Sequence, residues 1–327
     1  MQLGFVGTGT MGTPIAGCLI DAGHQLTVYD VRTEATVALA DRGGIVAANP
    51  RAVAQRSEVV FTSLPGPDQM EPVVLDPAAG ILAGLRAGSA YIDLTTNAPA
   101  VARRVGEACR AQGVDMLDAP VSGRPPGMTV MVGGDEAVFA RYRPLFEAIA
   151  HNIFYVGAAG AGCIAKLVTQ YLGYTNFIAA LEGLLIGAKA GVDPGVLAQI
   201  VPFSAGASRT FDNVPRSVLS GAFTSGGTLD IVAKDLHLAC DLAREVAAPG
   251  NLGLLAHDIF HRAQAQGWGQ DGFPIAARIL EAMAGHELRS QIGQNAASYQ
   301  ADDPRRAAHA TNNPRADLAP PPLGRRG

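Results

Sequence analysis

The chain has 327 residues, 48% hydrophobic and 17% charged, which supplies enough apolar material for one large domain or two ordinary ones and excludes global disorder. Its net charge of -4 leaves no basic footprint, so nucleic acid is not an expected partner. No apolar run reaches the roughly 18 residues of a membrane span; the longest, Phe177 to Val192, is broken by Glu182 and Lys189, so no membrane contact is expected.

In chain order, short apolar runs at Gln2–Val6, Gln25–Tyr29, Val59–Ser63, Tyr91–Leu94 and Val114–Leu117 predict strands. Helix patterns near 11–22, 33–41, 67–75 and 98–112 lie between them. Met128–Val132 and Ile153–Val156 predict two more strands around a helix over Asp135–Ala150. Such alternation implies a parallel sheet covered on both faces. From about 160 to 288 no strand pattern is seen. Gly162–Gly191 reads as one long, largely apolar helix, followed by helices over Asp193–Val201, Ile231–Val246, Leu252–Gln266 and Phe273–Ala284. The expected organisation is an α/β Rossmann-type parallel-sheet domain over 1–160, an all-α substrate and dimerisation domain over 161–290, and a disordered polar tail over 291–327. A helix this apolar needs more cover than a domain of that size supplies, so a homodimer or homotetramer is expected.

The first cation is Arg32, so the N-terminal segment reads as a strand rather than a secretory signal. Cys18, Cys109, Cys163 and Cys240 form no C-x-x-C pair and read as buried thiols of a reducing, cytoplasmic compartment. Of 25 cationic residues only Lys166, Lys189 and Lys234 are lysine, leaving 22 arginines. A lysine kept against that bias is a candidate for work arginine cannot do, because lysine can release its proton once desolvated.

The segment Gly7-Thr8-Gly9-Thr10-Met11-Gly12 is a G-x-G-x-x-G loop between a strand and a helix. The glycines permit a tight turn and a close approach of pyrophosphate to backbone amides at the helix N-terminus. Asp30 ends the next strand, 18 positions beyond Gly12. A carboxylate there accepts from a ribose 2′-hydroxyl and repels a 2′-phosphate, which favours NAD. Arg32, two residues on, is placed to meet a 2′-phosphate, so NADP stays open.

Several further motifs follow in order: Ala22-Gly23-His24, Ser63-Leu64-Pro65, Asp93-Leu94-Thr95-Thr96, Asp118-Ala119-Pro120-Val121-Ser122-Gly123, Gly160-Ala161-Gly162 before Lys166, and Lys234-Asp235-Leu236. Together they resemble the β-hydroxyacid dehydrogenases, the family of 3-hydroxyisobutyrate dehydrogenase and tartronate semialdehyde reductase, over about 1–285. The resemblance implies hydride transfer between a nicotinamide and a small anionic β-hydroxy acid, or the matching semialdehyde or keto acid. It implies Lys166 as general acid and base, with Gln170 on the same helix face; Ser122 and the Gly123 amide on the substrate carboxylate; Leu64 and Pro65 beside the cofactor; and Thr96 and Lys234 on its nicotinamide side. A turn role for Ser122 and a surface pair for Lys234 and Asp235 are the plainer readings.

The departures carry information. Position 124 is Arg where the family continues with Gly, and the stretch from Pro125 to Val130 is shorter than the family pattern by about five residues. A shorter lid and an added cation suggest a substrate larger or more anionic than hydroxyisobutyrate, such as a dicarboxylate or a sulfonate. Gln170 and Thr169 stand where the family has Asn. His257 and His261 have metal-compatible spacing, but no Glu follows His257 and no third ligand is evident, so a surface or packed pair is expected. Lys166-Leu167-Val168-Thr169-Gln170 departs from the K-x-x-H-N of 6-phosphogluconate dehydrogenase, and imine reductases of the same superfamily usually lack the lysine. An imine-reductase-like enzyme and a non-catalytic dinucleotide-binding scaffold are the alternatives.

Overall fold

The structure, a computed structural model, describes residues 1–290; the expected tail at 291–327 lies outside the described residues. Strand β1 (Gln2–Val6) is followed by α1 (Gly12–Asp21), β2 (Gln25–Tyr29), α2 (Val37–Ala40), β3 (Ile45–Val46), α3 (Pro50–Ala54), β4 (Val59–Thr62), α4 (Pro67–Leu75), β5 (Ala90–Asp93), α5 (Pro99–Ala111) and β6 (Asp115–Asp118). These six strands lie parallel in the order β3-β2-β1-β4-β5-β6, the Rossmann arrangement. The sheet then turns antiparallel. The short β7 (Val121–Ser122) pairs with β8 (Thr129–Gly134), which also pairs with β6; α6 (Glu136–Ile149) leads to β9 (Asn152–Gly157), parallel to β8.

Parallel strands are apolar on both faces because helices cover both. One face buries Leu3, Phe5, Ile15 and Leu19 against Phe139 and Phe146 of α6. The other buries Val53, Val60, Met70, Tyr91, Val101 and Val105 under α3, α4 and α5.

Helix α7 (Ala161–Lys189) runs 29 residues, about 43 Å at 1.5 Å per residue. Its first turn abuts the sheet, and its remainder packs on α8 (Pro194–Ile200), α9 (Leu229–Glu245), α10 (Asn251–Ala265) and α11 (Ala277–Ala284). Phe177, Leu181, Val232, Leu236 and Phe260 form the core of this helical layer. Among the described residues no helix is long and apolar enough to cross a membrane.

Local differences have local causes. The helix expected over 33–41 is a 3-10 turn, Thr33–Thr36, leading into α2. The final helix likewise starts as a 3-10 turn, Phe273–Ala276, where Pro274 supplies no amide donor. β3 and β7, at two residues each, are too short to show a period, and they are strands only because a neighbour pairs with them. The connection between α8 and α9 is built from single turns around Val201–Phe203, Phe211–Asn213 and Pro215–Leu219, which carry no extended periodicity.

Candidate active site

The glycine loop is shaped by backbone contacts. Gly7 adopts φ +90°, and a side chain there would strike the Ser63 carbonyl. A side chain at Gly12 would strike the Gly7 carbonyl, so the loop closes only with glycine at both places. Asp30 fixes the loop to β2: its Oδ2 accepts from the Thr8 amide at 2.8 Å and its Oδ1 from the Arg32 amide at 2.9 Å. The Arg32 guanidinium folds back, with Nε 3.7 Å from Asp30 Oδ1 and a terminal nitrogen 3.4 Å from the place of a Gly9 Cβ. Thr10 is exposed at the tip, and Met11 packs on the sheet core. Thr8 Oγ1 is buried with no hydrogen-bond partner among the described residues. An orphaned hydroxyl, a glycine cradle and the amides opening α1 together fit a dinucleotide pyrophosphate.

A second wall is set by Asp93, which is fully buried at the end of β5. It accepts from Thr62 Oγ1 at 2.7 Å, the Thr95 amide at 3.1 Å and Asn97 Nδ2 at 3.4 Å. Thr95 Oγ1 in turn accepts from the Leu64 amide at 3.1 Å. The loops carrying Leu64-Pro65 and Thr95-Thr96 are therefore pinned to one carboxylate, whose pKa burial raises against those hydrogen bonds.

The third side is α7. Gly160 turns the chain at φ +89°, and buried Asp118 caps the helix, taking the Gly160 amide at 2.7 Å and the Cys163 amide at 2.9 Å. A carboxylate at this end also suits the helix dipole. Lys166 follows in the second turn and is 6% exposed. Burial lowers its pKa from 10.5 to about 8; Asp235 opposes the shift and Lys234 adds to it. The amine is thus poised to gain or lose a proton near working pH.

Helix α9 completes the site. Lys234 Nζ donates to the Thr96 carbonyl at 3.1 Å, and a Cβ at Gly66 would sit 2.8 Å from its Cδ. Asp235 is 2% exposed; its Oδ1 lies 2.7 Å from Lys234 Nζ, a charge contact without hydrogen-bond alignment, and its Oδ2 accepts from Gln170 Nε2 at 2.6 Å. Gln170 Nε2 also donates to the Tyr174 hydroxyl at 2.7 Å.

Residues 2–157 match the family described as the NAD binding domain of 6-phosphogluconate dehydrogenase, and residues 160–280 match the family described as the NAD-binding region of NADP-dependent 3-hydroxyisobutyrate dehydrogenase. The chain is 31% identical to a 2-(hydroxymethyl)glutarate dehydrogenase of Eubacterium barkeri, over 87% of this chain and 96% of that one. It is 34% identical to a 2-hydroxy-3-oxopropionate reductase of Escherichia coli, over 88% of this chain and all of that one (100%). A solved 3-hydroxyisobutyrate dehydrogenase of Mycobacterium tuberculosis, with L-serine, superposes with a TM-score of 0.78 at 29% identity, covering 85% of this chain and 98% of that one.

The chain belongs to the β-hydroxyacid dehydrogenase family. It is a nicotinamide-dependent oxidoreductase, using NAD or NADP, among relatives that act on small hydroxy acids. The comparisons support this activity over the imine-reductase-like and scaffold alternatives.

Within this dehydrogenase the structure joins Gln170 on α7 to Asp235 on α9, and Lys234 on α9 to Thr96 on its loop, with Lys166 on α7 in the field of both α9 residues. Ser122, Gly123 and Arg124 sit where β7 turns toward β8. Gly123 takes φ +81°, and the exposed Arg124 guanidinium lies 3.4 Å from the place of a Gly226 Cβ, against the loop that precedes α9. Among the described residues no hydrogen bond joins that trio to Lys166 or Gln170.

Asp118 and Asp235 stand inside motifs of the sequence without a site role of their own, and Tyr174 stands in none. The one available signal was Asp235 beside Lys234, and its burial overturns the surface-pair alternative. His257 and His261 stack at 6.3 Å, and His237 joins them at 5.4 Å from His257. Among the described residues no group of three or more His, Cys, Asp or Glu is arranged to hold a metal ion.

Proposed function

We propose that this dehydrogenase oxidises a small, anionic β-hydroxy acid with NAD in preference to NADP, and that Lys166 transfers the hydroxyl proton. The observation that carries the reading is a buried lysine on α7 with its pKa lowered to about 8, within electrostatic reach of Asp235 and Lys234 on α9. Bound nicotinamide supplies the acceptor for the hydride that leaves the carbinol carbon. Neutral Lys166 takes the hydroxyl proton as the C–O bond becomes a carbonyl, and ammonium Lys166 returns it in the reverse direction. Lys234 holds the Thr96 carbonyl and keeps that loop in place. Ser122 and the Gly123 amide hold the substrate carboxylate. Asp30 favours NAD because its carboxylate, beside the glycine loop at the end of β2, would accept from ribose hydroxyls and repel a 2′-phosphate.

The sheet-bearing segment 1–160 serves the cofactor and the helical segment 161–290 serves substrate and assembly. Arg124 meets a second anionic group, which points to a dicarboxylate or sulfonate; a relative named for 2-(hydroxymethyl)glutarate acts on such a diacid. Ile164, Val168 and Leu172 are 38%, 51% and 54% exposed along the face of α7 turned away from Lys166 and support a homodimer or homotetramer. Four free thiols, three of them buried, suit the cytoplasm.

The test is NADH and NADPH formation by fluorescence against β-hydroxy acids bearing carboxylate, dicarboxylate and sulfonate groups. Turnover with NAD of at least one acid class, lost in Lys166→Ala, is the expected result. Cofactor binding without turnover on any acid would count against it.

A further inference from the structure

We propose that Tyr174 is a positioning residue of the active site, and that Gln170 acts with it on Asp235 rather than as a donor to substrate. This rests on Lys166 as the proton-transfer group.

Lys166, Gln170 and Tyr174 are spaced four apart on α7 and share one face. A primary amide has two N–H protons. Those of Gln170 go to Asp235 Oδ2 at 2.6 Å and to the Tyr174 hydroxyl at 2.7 Å. Only Gln170 Oε1 remains, and an acceptor cannot hold a carboxylate. The extra methylene of Gln is what this arrangement uses, because the amide must cross from α7 to a buried carboxylate on α9.

Tyr174 is the fixed end of the network. Its ring meets Phe260 and Phe273 edge-on at 6.0 Å each, so the helical core sets the place of its hydroxyl. Having accepted from Gln170, the hydroxyl directs its own proton to the Asp235 carboxylate; burial and that anion keep the phenol protonated. Asp235 then stands 2.7 Å from Lys234, which reaches the Thr96 carbonyl, and its charge is felt at Lys166. The chain of contacts therefore runs from the aromatic core through Tyr174, Gln170 and Asp235 to Lys234, and from Asp235 to Lys166 through its charge. Removing either neutral donor leaves the Asp235 charge less compensated. Its attraction for the ammonium form of Lys166 grows.

The chain has three lysines, so lysine labelled with 13C at Cε gives three signals, assigned by Lys189→Arg and Lys234→Arg. The test is to titrate the full chain, wild type, Tyr174→Phe and Gln170→Asn, and to measure kcat and KM on whichever hydroxy acids are turned over. Tyr174→Phe keeps the ring and its packing; Gln170→Asn keeps the amide and shortens its reach. In both variants the Lys166 midpoint should move to higher pH with Lys189 unmoved. Turnover kcat should fall about tenfold, the scale of one charge-assisted hydrogen bond, with KM held within about twofold. The double variant should be no worse than the weaker single, as expected for one shared network. An unmoved Lys166 midpoint in both variants would overturn the proposal, as would a raised KM in Gln170→Asn with Tyr174→Phe silent. Failure of the underlying function would look different: normal Lys166 shifts in the variants, with no acid oxidised by the wild type.

Discussion

Replacing Lys166 with Met should make the protein more stable while abolishing turnover. The ammonium form of Lys166 is disfavoured inside the fold, since its pKa falls from 10.5 to about 8, net of the attraction from Asp235. At 1.36 kcal/mol per unit, holding that buried amine charged costs about 3 kcal/mol below pH 8. Methionine fills a similar volume with no charge to desolvate. The cost is therefore fully present at pH 7, declines as pH rises through 8, and is nearly gone at the unfolded value of about 10.5. Urea unfolding followed through Trp268, the single tryptophan and part of the helical layer, reads the relevant region. Lys166→Met should exceed wild type by about 3 kcal/mol at pH 7 and by under about 0.5 kcal/mol at pH 10.5. A less stable variant at pH 7, or a gap that does not change with pH, would refute the reasoning.

Other outcomes follow from the same geometry. In the oxidation direction kcat/KM should rise with pH through about 8, as Lys166 loses its proton, and in the reduction direction it should fall over the same range; initial rates from pH 6 to 10 show both limbs. Asp235→Asn removes the charge that supports the ammonium form, so the limb should move to lower pH, read in the same profile. Asp30→Ser releases both the Thr8 and Arg32 amides and frees the Arg32 guanidinium, so the NAD to NADP ratio of kcat/KM should fall at least about tenfold. Arg124→Ala should raise KM for acids with a second anionic group about tenfold or more; an unchanged KM for every accepted acid would remove Arg124 from the site.

The parts of the fold written in local sequence were readable in advance. Gly7, Gly9 and Gly12 follow a strand, and the φ of Gly7 and the crowding at Gly12 are what such a loop requires. The alternation of elements sufficed for the Rossmann sheet and the helical layer. What escaped is what depends on partners distant in the chain. Asp118 caps a helix whose amides lie 42 and 45 residues later, and nothing around Asp118 announces that. Gln170 meets Asp235 across 65 residues, so the departure from Asn was visible while its reason was not. The two-residue strands β3 and β7 exist through pairing alone. The low pKa of Lys166 was suggested by the scarcity of lysine, but its size depends on burial and on Asp235 and Lys234, which only packing reveals.

The most direct measurement is the rate of NADH formation by wild type and Lys166→Ala across β-hydroxy acids with one carboxylate, two carboxylates or a sulfonate. Oxidation of at least one acid by wild type, with a loss of about a thousandfold or more in the variant, is expected. Comparable rates in the two proteins, or NAD binding by wild type with no oxidation of any acid, would contradict a Lys166-dependent hydroxyacid dehydrogenase.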